Sequence, residues 1–255
     1  MTTPSCRSVT TGDARRGDGV GVTGARRAPY GRRGASVARA VLDLYADAPP
    51  AVRAHVRVRW FTCPLPAVEA QLPAGGRVLE VGCGHGLLSL LAAVSDPERS
   101  VVGVDVDERK IPHARAAAAR ARERGATVDI RVAPPGKLPD GPWDAVVVVD
   151  VLYLLHRDVS RRLLAEGAAR LVPGGVLAVK EMALAPRWKF RWNQVQELLA
   201  VKALGITVGG QTTYVDPREM GDWMAAEGLD VRHLPLSKGY PHPHHLVVGR
   251  AGTGP

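Results

Sequence analysis

The sequence predicts an α/β fold: a doubly wound, mostly parallel seven-stranded sheet whose last strand runs antiparallel, preceded by a helical N-terminal cap. Three observations carry this. From Pro73 onward, short Val/Leu runs alternate with Ala/Arg/Leu stretches of helical spacing, the texture of strands buried on both faces under covering helices. The apolar run Arg77–Val81 leads straight into Gly82, Gly84 and Gly86 and then into the helical pattern Leu87–Val94. The final two strands are joined by only Ser237–His244, shorter than the roughly 12 residues a parallel crossover requires, so the last strand must turn back.

Taken in order, residues 1–35 hold seven arginines against two aspartates, with Gly-Arg and Arg-Arg pairs and no periodicity. Such a segment buries too little to offset the entropy of ordering and reads as a disordered basic tail. From Ser36, Val37, Val41, Leu42 and Tyr45 recur at helical spacing, so 36–72 reads as the cap. The domain 73–255 follows, with strands expected at Arg77–Val81, Ser100–Val104, Thr127–Val132, Trp143–Val149, Gly175–Lys180, Leu229–Leu236 and His245–Gly249. Helical patterns are expected between the first six. One starts at Asp158 and ends near Leu171, where Pro173-Gly174-Gly175 turns into a strand. Another is announced by Asp216-Pro217-Arg218-Glu219, in which aspartate caps, proline suits the first turn and glutamate closes the box. An insertion at about 184–215 reads as a lid.

Composition narrows the function classes. With 255 residues, 45% hydrophobic and 23% charged, the chain can bury a real core. No apolar run approaches the roughly 20 residues of a membrane span, and the start lacks a secretory apolar stretch, so a soluble cytoplasmic protein with no membrane partner is expected. Cys6, Cys63 and Cys83 lie far apart and form neither a disulfide framework nor a thiolate zinc site. Of the net charge of +9, the first 35 residues carry +5, and 28 of the 34 basic residues are arginine. A nucleic-acid footprint would cluster on the folded part, so a nucleic-acid partner is disfavoured.

The chemistry points to the segment Glu80-Val81-Gly82-Cys83-Gly84-His85-Gly86. Glycines let a ligand approach the backbone. The spacing is G-x-G-x-G after an acid; the dinucleotide fingerprint is G-x-G-x-x-G, and Leu87 occupies its third glycine position, which disfavours a nicotinamide oxidoreductase. About 20 residues beyond, Gly103-Val104-Asp105 ends the next strand in an acid able to accept from ribose hydroxyls. The plainer alternatives are a tight turn at the glycines and helix capping by Asp105 or Asp107.

On these motifs, with Trp143-Asp144 through Asp150 and Leu171-Val172-Pro173-Gly174-Gly175 in the same order, the chain resembles the class I S-adenosylmethionine-dependent methyltransferases of small-molecule type over about residues 70–250. The resemblance implies S-adenosyl-L-methionine as cofactor. It places Gly82 and Gly84 against the methionine portion with Cys83 between them, Glu80 near the ammonium, Asp105 on the ribose and Val106 against adenine, and it adds Asp150 to the cofactor-binding set. Two departures matter. The acid or amide that often follows the third strand is replaced by Val132-Ala133-Pro134-Pro135, and the Asn/Asp-Pro-Pro-aromatic turn of amide and base N-methyltransferases is replaced by Asp150-Val151-Leu152-Tyr153. The second points to an oxygen, carbon, sulfur or amine acceptor on a small molecule.

A hydroxyl or acidic carbon would need a base, and histidine is tuned for that near neutral pH. Ligands of open α/β sheets sit beyond the carboxyl ends of the strands, which selects His156, with Tyr153 as a substrate contact, and His242 and His244 after the sixth strand. A metal is disfavoured there, because Pro243 stiffens the loop and no second cluster supplies ligands. In the insertion, Trp188 and Trp192 are candidate acceptor contacts; interleaved with Arg187, Lys189 and Arg191 they also match nucleic-acid stacking or a packed amphipathic helix. An RNA methyltransferase using the basic tail, and a non-catalytic nucleoside-binding partner subunit, are the alternatives; a homodimer is left open.

Overall fold

The computed structural model describes residues 32–182, 214–236, 239–240 and 243–254. Residues 1–31 of the expected tail, most of the insertion expected at about 184–215 with Trp188 and Trp192, and His242 lie outside the described residues.

Three helices come first: α1 (Arg32–Asp43), α2 (Pro50–Thr62) and α3 (Leu65–Glu69). Then follow β1 (Gly76–Val81), α4 (Leu87–Ser95), β2 (Arg99–Asp105), α5 (Ile111–Glu123), β3 (Thr127–Val132), β4 (Trp143–Val149), α6 (Arg157–Ala169), β5 (Leu171–Met182), α7 (Pro217–Ala226), β6 (Asp230–Pro235) and β7 (His244–Arg250). The sheet order is β3-β2-β1-β4-β5-β7-β6, with β7 antiparallel to both its neighbours and the other pairings parallel. The short β6–β7 connection thus has the consequence its length implied. The chain winds outward from β1 through β2 to β3 and returns to β4 on the other side of β1, which opens a crevice beyond the carboxyl ends of β1 and β4.

The central strands β1, β4 and β5 are largely apolar because both sheet faces are covered there, and their residues alternate between two cores. Val78, Ala145, Val147 and Ala178 face the cap and the α4 and α5 helices, packing in one cluster with Val41, Leu44, Tyr45, Val56, Trp60, Leu88, Leu91, Ala114 and Ala118. Leu79, Val146, Val148 and Val179 face Leu164 of α6 and Met220 and Met224 of α7. Cap and sheet therefore share one core.

Four features differ from expectation. The β3–β4 connection contains no helix: its ten residues, 133–142, include four prolines, which remove backbone donors and stop helix propagation. The β5 strand begins at Leu171 and takes Pro173-Gly174-Gly175 into its span, as a bulge that advances the register from Trp143↔Leu171 to Ala145↔Val176. The first helix starts at Arg32, inside the segment read as tail, because a helix anchored by Val41 can propagate backwards. At α7, Asp216 caps by accepting from the Arg218 N–H at 2.8 Å, whereas Glu219, expected to close the box, pairs with Arg157 of α6. Among the described residues no helix is long and apolar enough to cross a membrane.

Candidate active site

Gly82, Gly84 and Gly86 all have positive φ, 75°, 54° and 78°, so the β1–α4 loop follows a path that L side chains rarely adopt. The N–H groups of Gly82 and Cys83 donate to the Val104 carbonyl at 2.8 and 3.0 Å, and that of Gly84 donates to Asp105 Oδ2 at 2.6 Å. Asp105 Oδ1 accepts from the Asp107 N–H at 2.8 Å. The loop is thereby stitched to the end of β2, and the acid and the glycines singled out in the sequence meet. Each Asp105 oxygen engages one amide, and a carboxylate offers about four lone-pair sites, so acceptors remain for two further hydroxyls.

The glycines differ in purpose. A Cβ on Gly84 would meet nothing nearer than Lys110 Cδ at 3.9 Å, which leaves its outer side open, whereas a Cβ on Gly82 would lie 2.3 Å from Val151 Cγ2. Gly82 is required for packing against the turn after β4. Val106, beside Asp105, is 59% exposed and offers an apolar surface to a planar ring. Open backbone, spare carboxylate acceptors and an exposed apolar side chain together fit an adenosyl group.

Beneath the loop Glu80 is buried and accepts from the Ser89 hydroxyl, and burial pushes its carboxyl up to about 7. Tyr45, following α1, donates its hydroxyl to the His85 carbonyl at 2.7 Å. The rings of His55, His85 and His113 approach in sequence, with centroids 4.8 and 6.3 Å apart. Burial, aided by His55 and Lys110, pushes His85 down to about 4.

At the end of β4, Asp150 adopts φ 55°. Lys180 Nζ donates to both its carboxylate oxygens at 2.6 and 2.8 Å, Arg59 of α2 pairs with it at 2.6 Å, and the Cys63 thiol donates at 3.8 Å. Burial alone would raise the Asp150 carboxyl; Lys180 and Arg59 overcome it and hold the group well below the usual carboxylate range. Next to Lys180, Glu181 accepts from the N–H groups of Val151 and Leu152 at 2.8 and 2.7 Å, and burial followed by the Asp150 charge pushes it up to about 8. His244 is buried with Nε2 2.8 Å from the Thr62 carbonyl oxygen, and its ring meets that of Tyr240 edge-on at 5.7 Å.

Three residues predicted on separate strands and loops thus share one edge: Asp150, His244, which acts electrostatically on Asp150, and Tyr153, which acts on Arg59. His156 stands exposed at the N-cap of α6 without a side-chain capping bond. Arg59, Cys63, Lys180, Glu181 and Tyr45 were not foreseen. The signal for two of them was present, since Lys180-Glu181 follows four apolar residues on a strand buried on both faces, and charges in such a place need partners.

A methyltransferase-domain family profile matches residues 78–175, from β1 to the β5 bulge. Over those residues the chain is similar to the methyltransferase-domain family. It is 30% identical over 128 residues to the ribosomal protein L11 methyltransferase of Symbiobacterium thermophilum, covering 49% of this chain and 40% of that protein. It is 28% identical over 178 residues to a ubiquinone biosynthesis O-methyltransferase of Pseudomonas aeruginosa, covering 66% and 72%. The chain spans less than two thirds of the first curated relatives it matches, 40% to 54% of their length. Among solved structures, magnesium protoporphyrin IX methyltransferase from Synechocystis PCC 6803 with bound SAH superposes with a TM-score of 0.61 at 18% identity, over 87% of this chain and 95% of the other.

Proposed function

We propose that this protein transfers the methyl group of S-adenosylmethionine to a small organic acceptor in the crevice beyond β1 and β4. The carrying observation is the Gly84–Asp105 bond, which sets open main chain and a carboxylate with spare acceptors side by side. Asp105 holds the ribose hydroxyls, Val106 lies against the base, and Gly82–Gly84 border the methionine portion. Glu80 acts from below, through Ser89 and the strand, more than by direct exposure. The cofactor supplies an already activated sulfonium methyl. What the protein adds is alignment of the acceptor in line with that methyl and exclusion of water, worth about 7–11 kcal/mol when well executed.

Asp150, held ionised, is a poor base for the acceptor proton; the position of Tyr153 at the same edge supports its role as an acceptor contact. The ubiquinone O-methyltransferase relative supports a small acceptor. The ribosomal-protein relative favours a second reading, a macromolecular acceptor. The first test is calorimetry with S-adenosylmethionine and S-adenosylhomocysteine, followed by product mass analysis with labelled cofactor in cell extracts fractionated by size. Heat with both compounds and label in the small-molecule fraction is the expected result; label in the protein or RNA fraction selects the macromolecular reading, and no heat with either compound removes both.

A further inference from the structure

At the edge built by α2, β4 and β5, one part-exposed guanidinium keeps donors that its carboxylate partner does not use. Lys180 is fully buried and bonds both Asp150 oxygens, so this pair is neutral by itself. Glu181 is turned to the backbone, accepting the N–H groups of Val151 and Leu152. Arg59 converges on the same Asp150 through one guanidinium nitrogen, so Asp150 is shared by two cations. The accessible member is Arg59, whose side chain is 34% exposed against 0% for Lys180 and 7% for Asp150. A guanidinium has five donors in a planar fork that matches a carboxylate. It projects from the cap helix beside Tyr153, at the strand ends where the acceptor must enter.

We infer that the methyl acceptor is an acid, and that Arg59 recognises its carboxylate at the open side of the Arg59–Asp150 pair. Resting on the methyltransferase reading, this names the acceptor's class. Asp150 and Lys180 orient the guanidinium by fixing one of its nitrogens, so that the remaining donors face the crevice. A neutral isostere would leave those donors facing an amide that offers no charge, and would bind more weakly.

The test is calorimetry on the full chain saturated with S-adenosylhomocysteine, using benzoate, hexanoate and indole-3-acetate, each beside its primary amide. At least one acid is expected to bind roughly tenfold or more tightly than its amide, a difference of about 1.4 kcal/mol. That preference should persist in Arg59→Lys in weakened form and fall below about twofold in Arg59→Gln, with S-adenosylhomocysteine affinity unchanged in both. Raising salt from about 0.05 to about 0.5 M should weaken the acid and spare the amide, a readout that needs no variant. Equal affinity within every pair, absence of binding by all three acids, salt-insensitive acid binding, or a preference that survives in a folded Arg59→Gln overturns the inference. Failure of S-adenosylhomocysteine itself to bind overturns the functional reading instead.

Discussion

Asp105 illustrates how much one side chain does here. It pins the glycine loop through the Gly84 amide, fixes the following turn through Asp107, and keeps lone pairs for a ligand. Asp105→Ala should therefore weaken S-adenosylhomocysteine binding about 10- to 100-fold, the range for losing charge-assisted hydrogen bonds worth about 1.5–3 kcal/mol, as measured by calorimetry. Glu181 gives a prediction of opposite sense. Its carboxyl is raised from 4.5 to about 8, so the folded protein keeps a proton that the unfolded chain releases, and stability falls as pH rises through that interval. Glu181→Gln retains an oxygen for the Val151 and Leu152 amides without the ionisation. Its thermal midpoint should exceed the parent's above pH 8 and converge with it below pH 4.5. Asp105 was legible in the sequence because its partners lie within one β-α-β unit. Arg59 was not: its partner Asp150 lies about 90 residues further along the chain, and the α2 pattern is mixed, with Val56 and Trp60 inward but Val58 and Phe61 exposed.

Among elements, the central strands were the most legible, since burial on both faces writes β1, β4 and β5 as Val/Leu-rich runs. Where the reading failed, local chemistry decided: prolines after β3 left no room for a helix, and the Pro173–Gly175 bulge lengthened β5 without interrupting its pairing. Histidines in loops were harder to place, because loop sequence does not say which neighbour a ring will meet. Gly82 joins two elements, the loop after β1 and the turn after β4. Gly82→Ala would force a methyl group onto stiff, β-branched Val151 at an unfavourable φ. It should lower the melting temperature by several degrees, consistent with a strain of about 1–3 kcal/mol. Adding Val151→Ala should recover part of that loss, the part due to contact; the φ penalty would remain.

The molecule as a whole behaves as one packing unit in its described residues, because cap, α4, α5 and one sheet face contribute to the same cluster. Trp60→Ala in α2 should accordingly destabilise the entire fold by about 3 kcal/mol. Far-ultraviolet circular dichroism and tryptophan fluorescence should report coincident denaturant transitions; a separate early transition for the cap would contradict this. That cap and sheet would pack together was not legible in the sequence, since shared burial between distant segments leaves no periodic trace.

The hydrogen bond from Tyr45 to the His85 carbonyl ties the cap to the glycine loop of the proposed cofactor site, while Arg59 and Thr62 tie it to the opposite bank of the crevice. Exchanging this N-terminal segment for that of a relative would therefore disturb cofactor affinity as well as acceptor choice. Chimaeras intended to retarget the enzyme need to transplant both banks together with their anchoring tyrosine and arginine.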